Sequence, residues 1–142
     1  MSTSPEKDRV FVTRRETFSA SHRLYNPNLS EEQNIEIYDK CASPNGHGHN
    51  FVLEVTVVGE PQQETGYVID LKKLKNIIRA EIISKLDHKH LNYDVDFLKG
   101  VIPTSENVAK AIWKILKSKI TEATLYSVRL HETENNSVEF KG

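Results

Sequence analysis

An α+β sandwich, four strands backed by two helices, is the fold class that this sequence predicts. Three observations point to it. Two long stretches alternate apolar and polar residues at period two, Phe51 to Val58 and Leu125 to Thr133. Between them lie two stretches with apolar residues at spacings of three and four. The remaining β-rich segments sit at the two ends of the chain, giving the order β-β-α-α-β-β.

In chain order, residues 1–8 are polar and read as a disordered tail, and 9–142 as one domain. Arg9 to Ser19 is rich in Val, Phe and Thr and reads as the first strand. Residues 20 to 50 read as irregular, apart from a short helix capped by Ser30 and ending near Tyr38. In the second strand Phe51, Leu53, Val55 and Val57 share one face. Gly59 to Gly66 reads as a turn and Tyr67 to Ile69 as a short extended piece. Asp70 caps a helix whose stripe is Leu71, Leu74, Ile77, Ile78, Ile82 and Leu86. A second helix starts at Thr104 or Ser105, with stripe Val108, Ala111, Ile112, Ile115, Leu116 and Ile120; Trp113 beside it reads as packing. Tyr126, Val128, Leu130 and Glu132 then alternate onto one strand face, and after an Asn135-Asn136 turn Val138 to Lys141 is the last strand. The bare edges of such a sheet are economically covered by other subunits.

The formal net charge of -1, from 19 basic and 20 acidic residues, offers no field to gather nucleic acid or an anionic membrane. One cysteine cannot form an internal disulfide, which fits a reducing compartment. No apolar run approaches the roughly 20 residues of a membrane span. The expectation is a cytoplasmic protein.

The chemistry concentrates at Cys41-Ala42-Ser43-Pro44-Asn45-Gly46-His47-Gly48-His49. In extended chain His47 and His49 point to one side and can reach one metal ion. A catalytic zinc site takes three protein ligands and keeps one position open; the third candidate is His22. Nitrogen ligands favour zinc over calcium or magnesium. Cys41 lies in a loop composition and could ligate the metal, act as a base or act as a nucleophile; a small buried residue is the bland alternative. Asp87 beside His88 could orient the imidazole and raise its basicity, or cap a turn. Glu132 ends an apolar row. It could accept two parallel N–H bonds from arginine or from a 2-amino-4-oxo pyrimidine edge, or reach solvent. His90 and His131 have no distinguishing context.

Together these pieces resemble the 6-pyruvoyl-tetrahydropterin synthase family, of the eukaryotic type. The carrying segments are Phe18 through Leu24, Cys41 through Asn50, Leu86-Asp87-His88-Lys89, Thr104 through Val108 and Glu132 through Asn136. The resemblance implies the tunnelling fold, a four-stranded antiparallel sheet with two helices on one face. Its subunits form trimers whose sheets join into a barrel, and two trimers make a homohexamer with active sites at the interfaces. It implies one zinc per subunit on His22, His47 and His49, with Cys41 as general base and Asp87 and His88 as a proton-transferring pair. Glu132 would anchor a pterin ring, helped by Thr104 and Ser105, with Glu106 close by. Ser105 stands where many members have threonine. The implied reaction converts 7,8-dihydroneopterin triphosphate to 6-pyruvoyl-tetrahydropterin and triphosphate, with magnesium. A related family on the same fold makes a 6-carboxy product, and its cysteine typically sits three residues before the His-Gly-His. Here five residues separate Cys41 from His47, which favours the pyruvoyl reading. A zinc-stabilised pterin-binding oligomer without turnover is the remaining alternative; it would have no need of Cys41.

Overall fold

The computed structural model describes residues 8–142, so the expected tail lies outside them save for its last residue. Five strands form one sheet: β1 (Val10–His22), β2 (His47–Gly59), β3 (Lys89–His90), β4 (Thr124–Thr133) and β5 (Asn136–Phe140). Their order across the sheet is β3-β1-β2-β4-β5. The helices are α1 (Glu31–Tyr38), α2 (Leu71–Ile78) and α3 (Ser105–Lys119).

The sheet differs from the expectation in count and in sense. Lys89 and His90 add a fifth strand, pairing in parallel with Ala20 and Ser21, so the sheet is mixed rather than purely antiparallel. Two residues are too few to show any alternation, and only the ladder on β1 makes them a strand. The two central strands are also longer than expected. They pair without interruption from Val10↔Gly59 to His22↔His47. The ladder thus carries β1 past Ser19 and starts β2 well before Phe51. Tyr67 to Ile69 forms no strand.

Phe51, Leu53, Val55 and Val57 are fully buried on the face covered by the helices, as period-two alternation requires. The opposite face carries Arg15, Glu54 and Arg129 in one cross-strand row. In β4 the expected row breaks. A bulge at Thr56/Val57 changes the register, so Leu125 enters the core and Tyr126 instead packs edge-on against Phe11, centroids 4.7 Å apart.

Leu74, Ile78, Ile82 and Leu86 are all fully buried at a strict spacing of four. A straight α-helix overshoots by about 40° at each such step. The chain absorbs the drift with a π-helical turn, Arg79–Ile83, before a last turn at Ser84–Leu86. Leu71, first in the expected stripe, is exposed. The π turn carries Arg79, whose Nε lies 3.2 Å from both carboxylate oxygens of the buried Glu16, and Arg14 closes on the same group at 2.7 Å. Two guanidiniums thereby neutralise the one carboxylate on the buried stretch of β1. Trp113 packs edge-on against Phe140 as expected.

The segment between β1 and β2 is fixed by Asn34, a fully buried amide. It accepts from the Asn26 N–H at 2.7 Å and donates to the carbonyls of Asn26 and Ser30 at 3.0 and 2.9 Å. Ser30 and Gln33 form the reciprocal cap of α1.

A candidate metal centre at the end of the central ladder

His22 is the last residue of β1, and His47 and His49 are the first and third of β2. His22 faces His47 across the ladder, and His49 faces Ala20, two residues back. All three rings therefore leave the sheet on the helix side. They meet edge-on, centroids 4.7, 5.2 and 4.8 Å apart. One ligand atom from each lies within 4.8 Å of the others, close enough for a single ion.

The hydrogen bonding assigns the donor atoms. The Nδ1–H of His22 donates to the Pro103 carbonyl at 2.7 Å, which leaves its Nε2 with the lone pair. That Nε2 and the Nε2 of His49 are buried without a hydrogen-bond partner. Orphaned buried nitrogens are costly unless a ligand satisfies them. Burial is the largest cause holding the pKa values of His22 and His47 below 6.5, so both rings stay neutral and able to ligate. The residues fit a metal ion.

Gly46 makes the approach possible. Its φ is +72°, and a Cβ there would stand 2.9 Å from the His22 carbonyl oxygen. Gly48 is different: a Cβ would find the Ala20 oxygen at 3.6 Å, an ordinary contact.

Glu132 reaches the cluster from β4. Its Oε2 lies 3.5 Å from His22 Nε2 and 3.8 Å from His49 Nε2, and accepts from the Ser105 hydroxyl at 3.2 Å. Thr104 is the cap of α3, accepting from the Asn107 N–H. Ser105 is buried behind it, whereas Glu106 is exposed and, among the described residues, makes no side-chain hydrogen bond.

Asp87 and His88 follow the last helical turn, Ser84–Leu86. Asp87 accepts from the Ser19 N–H at 2.9 Å, and the His88 N–H donates to the Ser19 carbonyl at 2.6 Å. The pair is thus pinned to the edge of β1, three residues before His22. His88 adopts φ +62°, which turns its ring back so that Nδ1 sits 3.1 Å from Asp87. The Ser19 N–H, then His88, holds the Asp87 carboxyl below its ordinary value. Cys41 is half-buried on the 3-10 turn Asp39–Ala42, tied to the segment just after β1 by the Leu24 N–H donating to its carbonyl at 2.8 Å. Among the described residues its thiol makes no hydrogen bond to the imidazoles or to the Asp87–His88 pair.

Two open clefts flank His49 and share Gly48, His49 and Asn50. One, about 770 Å³, runs along the outer sheet face past Glu54, Glu132 and Glu134. The other, about 540 Å³, runs along the edge of β1 past His88, Lys89 and His90. His131 points away from Glu132, as the alternation predicts, and bonds Glu54 at 2.8 Å. The sequence reading missed the Pro103 carbonyl, the backbone of Ser19 and the place of His90 against Gly46. No residue type announces a backbone contact; the proline-ended loop before a helix cap was the one available sign for Pro103.

Residues 11–142 match the family model described as 6-pyruvoyl tetrahydropterin synthase. A 6-pyruvoyl tetrahydrobiopterin synthase of Pongo abelii is 48% identical over 131 residues, 92% of this chain and 90% of its own length. One of Homo sapiens is 47% identical over the same shares of both chains. The solved structure of Caenorhabditis elegans 6-pyruvoyl tetrahydropterin synthase matches this fold with a TM-score of 0.90 at 41% identity, covering 94% of this chain and 96% of that one. The chain belongs to the 6-pyruvoyl tetrahydropterin synthase family.

Proposed function

We propose that this protein converts 7,8-dihydroneopterin triphosphate to 6-pyruvoyl-tetrahydropterin with elimination of triphosphate, a step of tetrahydrobiopterin biosynthesis. The observation that carries the reading is the convergence of three imidazoles, two with orphaned Nε2 atoms, beside the Glu132 carboxylate. The reaction is an internal rearrangement. The ring is reduced as the side chain is oxidised, so no external hydride donor is needed.

His22, His47 and His49 would hold zinc, which when bound acts as a Lewis acid and makes the C–H beside a side-chain hydroxyl more acidic. The chain's own groups do the rest. Glu132, oriented by the Ser105 hydroxyl, accepts the paired N–H groups of the 2-amino-4-oxo pyrimidine edge. The half-buried position of Ser105's neighbour Thr104 at the helix cap supports its place near that ring. The Cys41 thiolate removes a carbon-bound proton. The His88 imidazole, oriented by Asp87, carries a proton to or from the side-chain oxygen. Triphosphate is the leaving group, and magnesium would neutralise its charge.

Among the described residues no hydrogen bond joins the Cys41 thiol to the Asp87–His88 pair of the same protomer, which supports a site completed by a neighbouring copy. The edge of β1 from Val10 to Phe18, which no strand among the described residues covers, and the outer edge of β5 suit barrel-forming trimers, and two of these make the hexamer. No helix is long and apolar enough to cross a membrane; the working location of this reading is the cytoplasm.

The test is a mass-identified product assay on zinc-loaded protein given 7,8-dihydroneopterin triphosphate and magnesium. Triphosphate with a 6-pyruvoyl product is expected. A 6-carboxy product with acetaldehyde, or unchanged substrate, would overturn the reading.

A further inference from the structure

The two clefts that meet at His49 differ in chemistry, and the difference sets the direction in which a substrate lies. The outer-face cleft carries three carboxylates, Glu54, Glu132 and Glu134, against one guanidinium, Arg15, and Glu54 is already bonded by His131 at 2.8 Å. Its excess of carboxylates suits an edge rich in N–H donors better than an anion. The wall of the other cleft holds one carboxylate, Asp94, and that group already accepts the His90 N–H at 2.9 Å.

The rest of that wall offers donors. Lys89 supplies an ammonium and Ser21 a hydroxyl. The Ser19 hydroxyl donates to Asn50 Oδ1 at 2.6 Å, so the NH₂ of Asn50 is the group it has left to offer. The Asn92 N–H donates to His90 Nδ1 at 3.2 Å, which places the proton of the neutral ring on Nε2. The His90 ring is held by Tyr93, centroids 4.4 Å apart, with Nε2 3.1 Å from the position of a Cβ on Gly46. A donor is thereby fixed beside the turn that delivers His47 and His49. The sequence alone assigned His90 no role.

We propose that the cleft along the β1 edge is the subsite for the triphosphate arm of the substrate, with Lys89, His90 and Asn50 as its anion-binding groups. The substrate then spans the metal centre, its ring in the acidic cleft and its phosphates in the donor cleft. Lys89 and His90 act as specificity-determining residues. This rests on the pterin-triphosphate reading above.

The test uses the zinc-loaded oligomer and two probes by calorimetry: inorganic triphosphate, and 7,8-dihydroneopterin, which lacks the phosphates. Lys89→Ala should raise the Kd for triphosphate about fivefold or more and leave that for dihydroneopterin within about twofold. His90→Ala should act in the same direction, more weakly. Lys73→Ala on α2, whose ammonium pairs with Glu122, should change neither. The parent's Kd for triphosphate should rise with salt. Parent-like triphosphate affinity in both cleft variants would overturn the proposal, as would an equal loss for dihydroneopterin. If the parent neither bound dihydroneopterin nor turned over its triphosphate, while Lys89→Ala still loosened inorganic triphosphate, the anion subsite would stand and the functional reading would fall.

Discussion

Replacing Gly46 with alanine puts a methyl group 2.9 Å from the His22 carbonyl oxygen and 3.1 Å from His90 Nε2. It also asks an L-residue to hold φ at +72°. The conformational part costs about 1–2 kcal/mol. The overlap with a backbone oxygen adds to it, because that oxygen belongs to the paired end of β1 and cannot move alone. A total of about 2–4 kcal/mol follows. The melting temperature of the metal-free protein should fall by roughly 7–13 °C. The same displacement separates His22 from His47, so zinc affinity should drop at least tenfold. Gly48→Ala is the control. Its Cβ meets only an ordinary contact at 3.6 Å, so stability should stay within about 1 kcal/mol of the parent. The assays are thermal unfolding of the metal-free variants and competition for zinc with a chromogenic chelator. Equal behaviour of the two variants, or a Gly46→Ala variant with parental melting and zinc affinity, would refute the argument from backbone geometry.

Further outcomes follow from the same site. Cys41→Ala should keep zinc and fold but lose turnover by several orders of magnitude; product release at the parent rate would remove Cys41 as the base. Ser105→Ala takes away the donor to Glu132 at 3.2 Å and should weaken dihydroneopterin about fivefold, with zinc content unchanged by metal analysis. The histidines set a pH dependence. Burial holds His22 and His47 below 6.5, so as pH falls through 6.5 the unfolded chain takes up protons before the folded one does. The urea midpoint of metal-free protein should therefore fall between pH 7.5 and pH 5.5, and bound zinc should be released over the same acid side. A midpoint that rose on acidification would contradict the burial of these rings.

The parts of the fold that repeat at a fixed period were legible in the chain. Phe51 to Val57 gave the buried face because alternation is local; His47 and His49 share its parity, but they lie on that face because the ladder on β1 starts β2 at His47. Leu74, Ile78, Ile82 and Leu86 read as the stripe of one plain helix, and that reading does not foresee the π turn that keeps these four on one line. What escaped depends on contacts distant in sequence. β3 exists because Ala20 and Ser21 accept a neighbour. Tyr126 leaves the core because of a bulge fixed by its pairing with β2. The tautomer of His22 is set by a carbonyl 81 positions away. The place of Cys41 is fixed by a backbone bond from Leu24, which its side chain does not reveal. The roles of Thr104 and Ser105 came from family resemblance rather than from pattern, and the fold separates them, one as a cap and one as a donor to Glu132.

The central claim is that the three imidazoles hold one zinc ion on which the elimination of triphosphate depends. Titrating zinc into metal-free protein while following triphosphate release tests it most directly. Activity should rise linearly and saturate at one equivalent per chain, and His47→Ala should stay inactive at every zinc concentration. Full turnover by the metal-free protein, or by His47→Ala, would contradict the account.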